Sequence, residues 1–201
     1  MSPKASAVIR AFVALELPDE LQQRLEQIST SLREAAPDAP VRWVKADKIH
    51  LTLKFLGEVS LSHLSALHDI LREVAAHHAP FEFGIEGVGA FPKPLRPRVI
   101  WVGVNPSRQM EALQREVDIE TARLGYPREN RPFSPHLTLG RVSDLASGAD
   151  GRAIAAALES IQVGFLGTVT VQAVHLFRSD LTPGGAVYTR LFSAPLQSNQ
   201  T

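Results

Sequence analysis

The tetrapeptide His-Leu-Thr-Leu occurs twice in this chain, at His50-Leu51-Thr52-Leu53 and at His136-Leu137-Thr138-Leu139. With 7 His, 24 Leu and 9 Thr among 201 residues, random order would give roughly 0.004 copies, so the repetition needs a cause. Read as strands, both copies alternate with a period of two: each His and Thr share one face, and the leucines point to the other. That pattern buries the leucines and presents the polar pair. An imidazole exchanges a proton near neutral pH, and a threonine hydroxyl can donate a hydrogen bond to an oxyanion. Two copies facing each other would make one site with two His and two Thr.

The surroundings of the motif repeat as well. Arg10 to Leu17 is a β-prone apolar run that stops at Pro18, and Leu21, Leu25, Ile28 and Leu32 then form one helical stripe. Val41 to Val44 is a short strand candidate ahead of the first motif, and residues 61–78 have helical spacing. A glycine-broken strand, Phe81 to Phe91, runs into a proline-rich stretch, Phe91 to Arg98, expected to be an extended loop. Arg98 to Pro106 and the helix through Met110, Leu113, Val117 and Leu124 repeat the beginning. Arg10 to Arg98 and Pro18 to Pro106 are each separated by 88 positions, and His50 to His136 by 86. These offsets imply a duplication. After the second motif come a helix from Asp150 to Ile161, a strand from Thr168 to Phe177, a turn at Thr182-Pro183-Gly184-Gly185 and a last strand from Ala186 to Phe192. The chain is expected to be a single domain over 1–201 built of two lobes, about 8–95 and 96–195, with strand exchange between them left open.

Composition narrows the chemistry. There are 21 basic and 21 acidic residues, so there is no global pull on a polyanion, and nucleic-acid binding would need a local basic cluster. The absence of cysteine removes disulfides, thiol nucleophiles and cysteine metal sites. Adjacent helical side chains diverge, so His77-His78 does not form a metal site, and neither metal nor cofactor is expected. No apolar run of membrane length or signal-peptide core is present, which places the protein in the cytoplasm with no membrane partner and, by expectation, as a monomer.

The residues on which these readings rest resemble the two-histidine (2H) phosphoesterases, specifically the bacterial LigT-like RNA 2′,3′-cyclic phosphodiesterases, once called 2′-5′ RNA ligases. The likeness covers nearly the whole chain. It is carried by Arg10-Ala-Phe-Val-Ala-Leu15, the His50-Leu-Thr-Leu motif with Phe55-Leu-Gly57, Phe91-Pro92, Arg98-Val-Ile-Trp101 and, most specifically, Pro132-Phe-Ser-Pro-His-Leu-Thr-Leu-Gly-Arg141. The resemblance implies an α+β fold of two lobes related by a pseudo-twofold axis, with antiparallel sheets flanking a central cleft and helices packed outside. It implies that His50, Thr52, His136 and Thr138 line that cleft, that Arg141 binds phosphate, and that 2′,3′-cyclic RNA ends are opened to 2′-phosphomonoesters. A 2′-5′ ligase running the site in reverse and a module that binds RNA ends without chemistry are the alternatives.

Strict alternation places Lys54 on the His50 face, as a candidate phosphate contact or a solvated surface charge, and puts Arg141 on the leucine face unless Gly140 permits a bulge. Two histidines supply the acid and base that cyclic diester hydrolysis requires, while Thr52, Thr138 and Arg141 can stabilise charge on the non-bridging oxygens. Positive charge close to His136 in sequence, from Arg141 and Arg131, argues for His136 as proton acceptor and His50 as proton donor.

Overall fold

The computed structural model of the chain describes residues 7–183 and 185–197. The predicted turn at 182–185 includes position 184, which lies outside them. In the first half, β1 (Val8–Leu15) leads into α1 (Asp19–Ala35), which starts directly after Pro18 and buries the expected stripe of Leu21, Leu25, Ile28 and Leu32. β2 (Val41–Trp43) and a single 3₁₀ turn at Ala46–Lys48 precede β3 (Leu51–Ser60), and α2 (Leu64–Ala76) and β4 (Phe81–Lys93) follow. The second half comprises β5 (Arg96–Asn105), α3 (Arg108–Arg123), β6 (His136–Val142), α4 (Gly148–Ser160), β7 (Phe165–Val171), β8 (Ala173–Thr182) and β9 (Gly185–Pro195). Ser107 and Ser147 cap α3 and α4 through their side-chain oxygens, Ser147 in a capping box with Asp150.

All nine strands join one curled antiparallel sheet in the order β7-β4-β5-β6-β3-β1-β8-β9, with β2 added beside β6. The order reads alike from either end. The motif strands β6 and β3 meet at the centre, β5 and β1 flank them, and β4 and β8 come next. β4 follows the first motif in sequence yet pairs with the β5 beside the second, while β8 pairs with β1. Stripes from the four helices bury against the leucine face of this sheet in one continuous core that includes Val13, Leu25, Leu51, Leu67, Leu113, Leu137 and Ile154. The opposite face stays open around the motif. The expected α+β, two-lobed arrangement with helices outside is the one observed.

Two expectations change in detail. The strand expected from Thr168 to Phe177 is two strands, β7 and β8, because the chain crosses from one lobe to the other at Gln172. The buried set slips from Val169 and Val171 to Val174 and Leu176, a one-residue change of phase that the small apolar Ala173 disguises. The proline-rich stretch after Phe91 is a tight hairpin rather than a loop: Pro92 pairs with Pro97 and Lys93 with Arg96. Its prolines keep the backbone extended, which suits strand ends as well as a loop.

Candidate active site

β3 and β6 touch through one antiparallel pair, Leu51 opposite Leu137. Both leucines are fully buried, as are Leu53 and Leu139 nearly so, which turns the polar residues of both motifs to the open face. Continuing that register by one residue sets His50 opposite Thr138 and Thr52 opposite His136. Each His then lies diagonally across from the other, at a typical separation of about 7–8 Å between strand positions, which leaves room for one phosphate between the rings. The structure thus brings the two expected histidines and two expected threonines to one place. The threonine hydroxyls have no hydrogen-bond partner among the described residues and remain available to a ligand.

A matched pair of β-bulges decides which further side chains reach this face. In β6, Trp101 faces Thr138 but Ile100 faces Gly140, so Leu139 is an extra residue. In β3, Ala14 faces Thr52 but Val13 faces Lys54, so Leu53 is an extra residue. Each bulge reverses the alternation beyond it. Arg141 is thereby carried to the open face, as the bulge expected at Gly140 would require. A Cβ on Gly140 would stand 2.7 Å from Val41 Cγ1 and 3.2 Å from Trp43, so glycine is also what lets β2 close over the seam.

The same reversal corrects the expectation for Lys54. It lies on the core side, with its side chain 0% exposed, and its Nζ donates to Asp118 Oδ1 at 2.7 Å, to the Asp118 carbonyl at 3.2 Å and to the Tyr126 carbonyl at 3.3 Å. All three ammonium protons are used there, so Lys54 is no phosphate contact. The position matching Arg141 in β3 is Phe55, an exposed aromatic side chain 6.1 Å from the Phe12 ring.

Both histidines are held alike. His50 Nδ1 donates to the Lys48 carbonyl at 2.9 Å, and His136 Nδ1 donates to the Ser134 carbonyl at 2.8 Å. A carbonyl only accepts, so Nδ1 carries the proton in each ring and Nε2 is left to exchange protons with a substrate. Phe12 stacks on the His50 ring at 4.6 Å, Tyr188 meets it edge-on at 5.0 Å, and Phe91 meets His136 edge-on at 5.1 Å. Burial lowers the His50 pKa most; its bond to the Lys48 carbonyl works against that, the Arg141 charge adds to it, and the result is about 4. Burial raises the Tyr188 hydroxyl, against a smaller lowering by Arg141. The guanidinium expected to bear on His136 therefore acts across the seam on His50 and Tyr188.

Tyr188, Phe177 and Phe91 were not singled out for the site from the sequence. Tyr188 and Phe177 arrive on β9 and β8, the strands that cross back to β1, so no local pattern links them to His50. Phe12, on β1, is buried and forms the floor beneath the His50 ring. Arg128 pairs through Nε with Asp118 at 3.0 Å. Among the described residues no group of three or more His, Asp or Glu is arranged to hold a metal ion, and His77 and His78 instead share the two oxygens of Glu116.

Comparison with known proteins agrees with this geometry. A model of the LigT-like phosphoesterases matches twice, over residues 15–101 and 102–188. The RNA 2′,3′-cyclic phosphodiesterase of Methanothermobacter thermautotrophicus is 36% identical over 181 residues, covering 90% of this chain and 95% of the relative. A Thermus thermophilus crystal structure superposes with a TM-score of 0.80 at 28% identity, and Escherichia coli LigT complexed with 3′-AMP with 0.73 at 29%; each alignment covers 96% of this chain and all of the other. With two tandem family matches, the seam of paired His-Leu-Thr-Leu strands and relatives alike over nearly their full length, this chain belongs to the LigT-like phosphoesterase family.

Proposed function

We propose that the protein is an RNA 2′,3′-cyclic phosphodiesterase that opens cyclic phosphate ends to 2′-phosphomonoesters. The observation that carries this reading is the pair of imidazoles across one seam, each with Nδ1 fixed to a backbone carbonyl and Nε2 free, with a threonine beside each. His136 takes a proton from the attacking water as the oxygen bonds to phosphorus. His50 gives a proton to the departing ribose 3′ oxygen. In the free site burial and Arg141 favour neutral His50, which reverses the charge argument drawn from the sequence, so its role as donor requires the anionic phosphate to bring a proton onto the ring. Thr52, Thr138 and Arg141 donate to the non-bridging oxygens as charge gathers on them. The exposed Phe55 and the half-buried Tyr188 give a nucleobase an aromatic surface.

None of these steps calls for a metal, and the chain acts as one domain of two lobes on RNA ends or cyclic nucleotides, as a cytoplasmic monomer. No helix among the described residues is long and apolar enough to cross a membrane. The test is to incubate the purified protein, with chelator, with cyclic-ended RNA and 2′,3′-cyclic mononucleotides, and to locate the phosphate in the product. A 2′-phosphate is expected. Absence of turnover, a 3′-phosphate product or dominant 2′-5′ joining at dilute RNA would overturn the assignment.

A further inference from the structure

β2 is a three-residue strand, and its middle residue is an arginine placed directly opposite another. Arg42 is the cross-strand partner of Arg141. The main-chain bonds from Val44 N to the Leu139 carbonyl and from Ser143 N to the Pro40 carbonyl make 42 and 141 a hydrogen-bonded pair in the same ladder. Such residues stand about 5.5 Å apart and project from the same face. Val41 and Trp43, which alternate with Arg42, turn the other way: they cover Gly140, and the Arg33 guanidinium of α1 lies over the Trp43 ring at 5.7 Å. Arg42 and Arg141 therefore share the open face that bears His136 and Thr138. Both are exposed, and neither has a carboxylate partner among the described residues.

Like charges directly opposite in a ladder oppose pairing of their strands. An anion between or beside the two guanidinium groups turns the cost into an attraction, and a planar fork is suited to phosphate oxygens. Arg141 acts on His50, at the centre of the site, and Arg42 lies on the same face, on the edge of β6 that β3 occupies at Leu137. Zero net charge on the whole chain means that any hold on a second phosphate has to come from such a local pair.

We infer that Arg42 forms, beside Arg141, a second phosphate subsite that grips the backbone phosphate 5′ of the terminal nucleotide, so that the cleft is adapted to the end of an RNA chain in preference to a free cyclic nucleotide. This rests on the function proposed above. The substrate class is thus an oligonucleotide ending in a 2′,3′-cyclic phosphate, with one charged contact beyond the reacting phosphorus.

The experiment compares a dinucleotide carrying a terminal 2′,3′-cyclic phosphate with the same compound whose internal phosphate is an uncharged methylphosphonate, on wild-type protein and on Arg42→Ala and Arg42→Gln. For wild type, neutralising the internal phosphate should lower kcat/KM roughly tenfold, mainly through KM, as expected when a hydrogen bond to a charged group is lost. Each variant should lose a similar factor on the charged dinucleotide and then be indifferent to neutralisation. On longer cyclic-ended RNA the slope of log kcat/KM against log salt should become shallower by about 0.7, one phosphate contact's worth for a single strand. Wild type that ignores neutralisation, or variants that remain as sensitive to it as wild type, would overturn the subsite. A wild type that turns over none of these compounds overturns the proposed function itself, so the two failures are distinguishable.

Discussion

Lys54→Met replaces the buried ammonium with a thioether of similar length and separates two roles for this residue. In the structure, Lys54 on β3 is joined to Asp118 on α3 by a 2.7 Å bond between side chains that are 0% and 6% exposed. Asp118 also receives Arg128 Nε at 3.0 Å and the Glu129 N–H at 3.1 Å, and Lys54 reaches the Tyr126 carbonyl. One cation thus fastens the strand after Thr52 to the segment that runs on to Ser134 and His136. Burial pushes the Asp118 carboxyl up, but the bonds from Lys54, Glu129 and Arg128 outweigh it and hold the carboxyl below its ordinary range.

Breaking a buried pair by removing one partner costs about 3–5 kcal/mol, and because Arg128 and the Glu129 N–H stay with Asp118 the lower end, about 3 kcal/mol, is expected. That is a large share of the roughly 5–15 kcal/mol typical of a whole domain. Urea unfolding at neutral pH measures it. The double variant Lys54→Met/Asp118→Leu, which leaves no buried charge, should recover at least half of the loss. Because Asp118 is depressed in the fold, its part of the stability is present above the unfolded carboxyl pKa of about 3.9 and is lost as pH falls through the lower folded value, so the gap between wild type and variant should narrow in strong acid. A loss under about 1 kcal/mol accompanied by a raised KM would refute the reasoning and return Lys54 to the phosphate.

Gly140→Ala should cost about 1–3 kcal/mol and lower kcat/KM, since the new Cβ displaces Val41 and Trp43 and with them the strand opposite Arg141; a variant of wild-type stability and activity would contradict the close approach. A histidine titration followed by NMR should place His50 at about 4, and Arg141→Gln should move it upward; a midpoint at the ordinary 6.5 would remove both causes. His77 is raised by its bond to Glu116 and by that carboxylate's charge, so the stabilisation it brings is complete below the unfolded value of about 6.5 and fades as pH rises through the folded value. In Glu116→Gln the His77 titration should shift down, and an unchanged midpoint would show that the contact is not maintained in solution.

The duplication was readable because it left a tetrapeptide, two prolines and two arginines at nearly constant offsets. Period-two alternation then located His50, Thr52, His136 and Thr138 on one face. The same periodicity misplaced Lys54 because a bulge adds a residue without marking the sequence: Leu53 and Leu139 are apolar and look like ordinary inward residues. Gly140 hinted at the bulge in β6, and the duplication should have carried that hint to β3, where the corresponding residue is Lys54. Partners that arrive by strand exchange leave no local trace. Tyr188 is 138 positions from His50, and Asp118 is 64 from Lys54. The order of strands in the sheet brings Tyr188 to His50, and the packing of α3 on β3 brings Asp118 to Lys54.

The division of labour between the histidines needs an experiment that ionisation alone does not provide. The two rings are anchored alike at Nδ1 and lie across a seam that is nearly symmetric, so geometry gives either Nε2 access to water or to the leaving oxygen. A bell-shaped profile of kcat/KM reports two pKa values of the pair, and a single proton shared between two groups yields the same curve whichever ring holds it. The leaving group breaks the symmetry. On an aryl phosphodiester whose leaving group departs without a proton, loss of the acid should matter little while loss of the base should matter fully. General acid catalysis is worth about 10²–10⁴-fold, so relative to wild type His50→Ala should regain most of that factor on the activated substrate and His136→Ala should regain none. The opposite pattern exchanges the roles. Equal losses on both substrates would mean that neither ring works by protonating the departing oxygen, and the bond to phosphorus would then have to break with Arg141 and the two threonines alone to hold the charge.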